Sequence, residues 1–188
     1  VRCRSEHLVY FIHRQPVNCS MPTGIKRTSA DFFISSSVTE SALNTFTELE
    51  VALPLSSLDR EVFVITGIIF DPGTPSSVVA QQTTSALQLT RQSATAILNF
   101  GDFNLVANSA ESMQGGAAEF NYFSKTYGNQ IENSGSEYVD IIATANMFVQ
   151  VQGTNNLAAI TSSLRVYGYR AKADVSVYSA LLASELNA

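Results

Sequence analysis

Apolar and polar positions alternate along most of this chain with a period of two, the mark of strands that turn one face to a core. Leu49, Val51, Leu53 and Leu55 alternate with Glu48, Glu50, Ala52 and Pro54, which predicts a half-buried strand ending at Pro54. Residues 62–70 are apolar on both faces, with Val62, Val64, Ile68 and Phe70 on one and Phe63, Ile65 and Ile69 on the other. A strand of that kind is covered twice, by the opposite sheet and by another element or subunit outside. Asp71-Pro-Gly-Thr-Pro75 closes it with a turn.

Leu87 and Leu89 open a shorter alternating run, which residues 94–100 continue. Residues 103–113 fit either a strand followed by a loop or a short helix. Phe120-Asn-Tyr-Phe123 reads as an aromatic strand, and Tyr127-Gly-Asn and Asn133-Ser-Gly read as turns. Residues 138–151 form the longest strand candidate, with Ala143, Ala145, Met147, Val149 and Val151 opposed to Thr144, Asn146, Gln150 and Gln152. Residues 160–172 supply another, in which Leu164 and Val166 alternate with Arg165, Tyr167 and Tyr169.

The period changes only at the end. Asp174 or Ser176 can cap a short helix that carries Val175, Tyr178, Leu181, Leu182 and Leu186 near one face. Some eight strands joined by turns, with neither βαβ alternation nor an internal repeat, predict an all-β fold: an antiparallel two-sheet β-sandwich with a short C-terminal helix. The long connections between about Asp71 and Tyr138 favour an eight-stranded jelly roll over an immunoglobulin-like sandwich. The expected divisions are an N-terminal extension over 1–20, an arm over 21–45, the jelly-roll domain over 46–173 and a helix and tail over 174–188.

Composition divides the chain near Met21. Arg2, Arg4, Arg14, Lys26 and Arg27 face one acid, Glu6, in the first 27 residues, and from residue 28 six basic residues face fifteen acids. Both cysteines, Cys3 and Cys19, and both histidines, His7 and His13, lie in the first twenty residues. That stretch is expected to lie outside the fold. A zinc site there lacks the usual close ligand pairing, Leu8–Ile12 is too short for a secretory core, and Asn18-Cys-Ser is a lone sequon. Charged residues make up 14% of the chain, against about 25% in an ordinary soluble domain. Its surface therefore leaves apolar area to bury against something, which points to self-association. The longest apolar stretch, residues 62–70, falls well short of a membrane span.

Chemistry is narrowed by residue type. Without His or Cys beyond residue 20 the body can build no Ser-His-Asp triad, thiol nucleophile or imidazole metal site. Glu48 with Glu50, Asp59 with Glu61, and Glu137 with Asp140 are the carboxylate pairs a glycosidase would need, but they read better as solvated strand ends. Asp71, Asp102 and Asp140 have no calcium-loop spacing. Gly115-Gly116 lacks the Lys-Ser/Thr of a phosphate loop. No catalytic, cofactor or metal residue is assigned. An acidic body is a poor surface for nucleic acid, so Lys26 and Arg27 are only weak contact candidates. Tyr167-Gly-Tyr-Arg170 reads as packing between sheets or subunits rather than as a base-stacking platform.

Residues from about 21 to 188 resemble a single jelly-roll capsid protein of a small tailless virus, of the kind common in marine viral sequences. The resemblance is carried by the strand Asp59-Arg-Glu-Val-Phe-Val-Ile65 after a polar arm, the late strand ending Leu164-Arg-Val-Tyr-Gly-Tyr-Arg170, and the short C-terminal extension. It implies a virion subunit with no active site, which assembles with copies of itself into a shell, possible icosahedral symmetry included, and with other virion proteins. The weak basic arm departs from that pattern and assigns genome packaging to another protein. Val175, Tyr178, Leu181 and Leu182 are the candidate subunit interface. A carbohydrate- or receptor-binding sandwich, secreted or virion-attached, is the alternative that shares the fold.

Overall fold

A computed structural model describes residues 23–116, 124–127, 130–132 and 138–186 of the chain. In chain order the elements are β1 (Ile25–Arg27), β2 (Phe32–Thr39), β3 (Thr47–Ala52), β4 (Glu61–Asp71), β5 (Gln82–Thr90), β6 (Leu105–Gln114), β7 (Ser124–Tyr127), β8 (Gln130–Glu132), β9 (Asp140–Ile142), β10 (Asn146–Thr154), β11 (Thr161–Ala173) and α1 (Val175–Leu186).

All strand pairings are antiparallel, and they nest. β5 pairs with β6, β4 with β8 and β9, β3 with β10, and β2 with β11. The chain is thus one long hairpin, rolled so that successive rungs fall in opposite sheets. Pairing of β11 with β4 and of β10 with β5 completes them. One sheet runs β2-β11-β4-β8/β9, with β1 beside β2 on the same edge of β11, and the other runs β3-β10-β5-β6-β7. This is the jelly-roll sandwich. Within the segment expected as an arm over 21–45, β1 and β2 are both paired with β11 and so belong to the first sheet. Among the described residues no helix is long and apolar enough to cross a membrane.

Between the sheets lie Phe63, Ile65, Ile68, Phe70, Leu164 and Val166 from the first, and Leu87, Leu89, Met147, Val149 and Val151 from the second. The alternation expected for residues 62–70 breaks here. Tyr167 lies opposite Gly67, but Gly168 lies opposite Ile65, so Thr66 is an extra residue in β4. This β-bulge changes the parity of the strand. Phe63 and Ile65 therefore share the core face with Ile68 and Phe70, and Val62 and Val64 point outward. Gly168 allows the bulge, since a Cβ there would stand 2.7 Å from the Phe63 ring.

Residues 138–151, expected as one strand, are two. β9 ends in the first sheet and β10 begins in the second, and the chain crosses between them at residues 143–145. The crossing is fixed by Glu185 of α1, whose carboxylate accepts the N–H groups of Ala143 at 2.7 Å and Thr144 at 2.9 Å. Residues 105–114 are strand, not helix. Residues 94–100 are not strand: Ala94, Ala96 and Leu98 bond through their backbones to Glu48 and Gln88 of the second sheet. Cys3, His7, His13 and Cys19, with Asn18, Leu8–Ile12, Phe120–Phe123, the turn residues after Tyr127, Asn133-Ser-Gly and Glu137, lie outside the described residues.

Candidate assembly surface

The outer face of the first sheet has two halves. In one, Ile25, Val62, Val64, Ile141, Ala143, Tyr169, Ala171 and Ala173 form a second buried cluster, roofed by Tyr138, Val177, Tyr178 and Leu181. Fully burying a valine contributes about 1.5–3 kcal/mol, so α1 seals a real portion of the stability. It is pinned at both ends. Asp174 N–H donates to Gly24 O at 2.8 Å at the start, and at the far end Glu185, 2% exposed, holds the strand crossing. Gln92 donates to the Glu185 carbonyl. Of the four expected interface residues, Tyr178 and Leu181 pack on the chain's own sheet, Leu182 is half-buried and Val175 is exposed.

No described residue covers the other half. Here Phe33 pairs with Tyr167, Ser35 with Arg165, and Ser37 with Ser163 across β2 and β11, while Arg165 faces Ile69 and Ser163 faces Asp71 across β11 and β4. Phe33 is 56% exposed and Ile69 41%. Phe33 and Tyr167 stack with ring centres 6.1 Å apart, and the Arg165 guanidinium lies 4.7 Å over the Phe33 ring. Beside them a shallow groove of about 420 Å³ is lined by Ser35, Ser37, Ser163, Ile69, Asp71 and Arg165, among others. Ser163 Oγ bonds Asp71 at 3.4 Å and Arg165 Nε donates to Ser35 Oγ at 3.3 Å.

Several charged groups elsewhere are engaged structurally. Arg27 forms an ion pair with Asp31 at 2.9 Å and lies 4.3 Å over the Tyr169 ring, whereas Lys26 is exposed. Asp140 takes a bidentate bond from Arg91 at 2.7 and 3.0 Å. Asp59 pairs with Lys172 and Glu61 with Arg170. Glu50 accepts from Asn146. Burial raises the Glu48 carboxyl, but hydrogen bonds from Gln150, Ser93 and the Ala94 N–H together outweigh it and hold the group below its ordinary value. Among the described residues no three His, Cys, Asp or Glu side chains form a group able to hold a metal ion.

Sequence reasoning missed two buried carboxylates that shape this surface. Glu185 is one. Glu40 is the other, accepting from Gly153 N–H at 2.6 Å and Ile160 N–H at 2.8 Å, so that it ties the end of β2 to both sides of the β10–β11 turn. Neither stands in a motif. It also passed over β2, although Phe32, Ile34 and Val38 alternate there with Phe33, Ser35 and Ser37.

No family model and no curated protein matches the chain. Among solved structures, VP1 of chimpanzee polyomavirus aligns over 79% of this chain and 99% of that chain, with 6% identity and a TM-score of 0.39. VP1 of Merkel cell polyomavirus, in complex with GD1a oligosaccharide, aligns over 79% and 100%, with 6% identity and a TM-score of 0.37. Desmodium yellow mottle tymovirus aligns over 85% and 95%, with 12% identity and a TM-score of 0.30. The jelly-roll assignment itself stands on the nested strand pairings.

Proposed function

We propose that the chain is a structural subunit of the shell of a small tailless virus, a virion component that acts by self-association and performs no chemistry. The observation that carries this reading is the outer face of the first sheet: a jelly roll, of a kind common in viral shells, that seals one apolar half with its own helix, while among the described residues nothing covers the other half, where Phe33 and Ile69 are exposed. The exposed side of α1, with Val175 and half-buried Leu182, offers neighbours a second contact, supported from beneath by Tyr178 and Leu181. Lys26 and Arg27 are at most minor genome contacts, Arg27 being already paired with Asp31, and packaging falls to another virion protein.

Light scattering and electron microscopy of the purified chain at neutral pH test the reading. Closed shells, or pentamers and hexamers, are the expected result. A trimer that retains a glycan would favour a carbohydrate- or receptor-binding module instead, and a strict monomer at high concentration would overturn self-association.

A further inference from the structure

The half of the first sheet that exposes Phe33 and Ile69 carries one cation and one anion in a diagonal relation. Arg165 on β11 lies opposite Ile69, and Asp71, two residues further along β4, lies opposite Ser163. Both side chains are exposed, and neither has an ion-pair partner among the described residues. The four positions form a small rectangle with Arg165 and Asp71 at opposite corners and Ile69 and Ser163 at the other two.

A two-fold axis lying parallel to the sheet along the Ile69–Ser163 diagonal, between two facing copies, exchanges the two charged corners. It brings Arg165 of one copy against Asp71 of the other, and the reverse, and it sets Ile69 against Ile69 and Ser163 against Ser163 on the axis. The face is therefore complementary to itself in charge, with Ile69 meeting its own copy between the two ion pairs, as a contact between identical surfaces allows. We propose that this half of the first sheet is a two-fold contact between two copies of this chain, closed by reciprocal Arg165–Asp71 ion pairs across Ile69. The proposal deepens the shell reading and rests on it for the larger assembly.

Charge reversal in the full chain tests it. Arg165→Asp and Asp71→Arg, made singly, place like charges at both corners and should each weaken pairing by about tenfold or more in sedimentation equilibrium. The double variant Arg165→Asp/Asp71→Arg restores opposite charges and should recover most of the lost affinity. Circular dichroism and thermal unfolding establish that each variant is folded. Single variants that pair like the unaltered chain, or a double variant as weak as the singles, would overturn the two-fold contact. Shells that persist in the single variants would do the same while leaving the shell reading in place. Pairs that obey the charge-reversal pattern but never form shells would keep the contact and overturn the shell reading.

Discussion

The two halves of the first sheet's outer face are built on the same strands and answer the same problem differently. β11 supplies Tyr169, Ala171 and Ala173 to one half and Ser163, Arg165 and Tyr167 to the other. β4 supplies Val62 and Val64 to one and Ile69 and Asp71 to the other, with the bulge at Thr66 between them. Where the side chains are alanines, valines and the buried Tyr169, α1 lies down on them and the surface becomes interior. Where they are an aromatic pair, an arginine and a row of serines, nothing described in the chain covers them. A residue's position on a strand thus says little about whether it serves stability or contact. What decides is whether the helix reaches it.

The sharpest way to break that comparison is to place the same charge in each half. Val64→Asp puts an unpaired carboxylate where the native side chain is 1% exposed, and should cost about 4 kcal/mol or more in urea unfolding. Ile69→Asp, at a position 41% exposed and opposite Arg165, should cost about 1 kcal/mol or less and act on association. Equal losses of stability would show that the two halves do not differ as described.

Glu185 tests the boundary of the sealed half. Glu185→Ala leaves the Ala143 and Thr144 N–H groups without their acceptor, and should cost about 1–3 kcal/mol. Amide hydrogen exchange of those two residues should quicken more than that of β10, which keeps its ladder with β5. Uniformly faster exchange would mean that the helix acts on the whole domain rather than on the crossing.

The smallest effect is expected on the opposite sheet, where Glu48 and Gln88 are bonded by Ser93, Ala94, Ala96 and Leu98 rather than covered by an apolar helix. Glu48 is held below its ordinary value of 4.5, so it contributes stability above that pH and loses the contribution as pH falls through its lower folded value. Thermal midpoints of the unaltered chain and Glu48→Gln should differ near neutral pH and converge in acid. A constant gap across that range would remove the carboxylate's charge from the account.

Strand existence was legible because periodicity is local: β3, β10 and β11 each announced a face by alternation, and β4 stood out as an apolar run. Parity and continuity were not. The bulge at Thr66 depends on Gly168 accommodating the Phe63 ring, a meeting of residues far apart in sequence. The crossing at residues 143–145 lies in an unbroken alternation from Ala143 to Val151, and it is held by distant groups, Glu185 on Ala143 and Thr144 and the Leu53 N–H on the Ala145 carbonyl. The apolar set of α1 was legible as well, but its direction was set by the cavity over Val62 and Val64 that receives Val177, Tyr178 and Leu181. Arg165 and Asp71 were visible only as charges. Their diagonal placement requires the register of β4 on β11.

Nested pairing also sets when the molecule can fold. β2 finds its partner in β11, with Ser37 bonded to Ser162 across 125 positions of sequence, and β4 waits for the same strand on one of its edges. Topologies dominated by such distant pairings fold slowly. During synthesis β2 and β4 therefore emerge with unpaired edges long before β11 leaves the ribosome, and open edges are templates for other strands. On a crowded polysome the nearest strands belong to other nascent copies of the same chain, so yield in expression should depend on translation rate and chaperone supply as much as on the finished protein's stability.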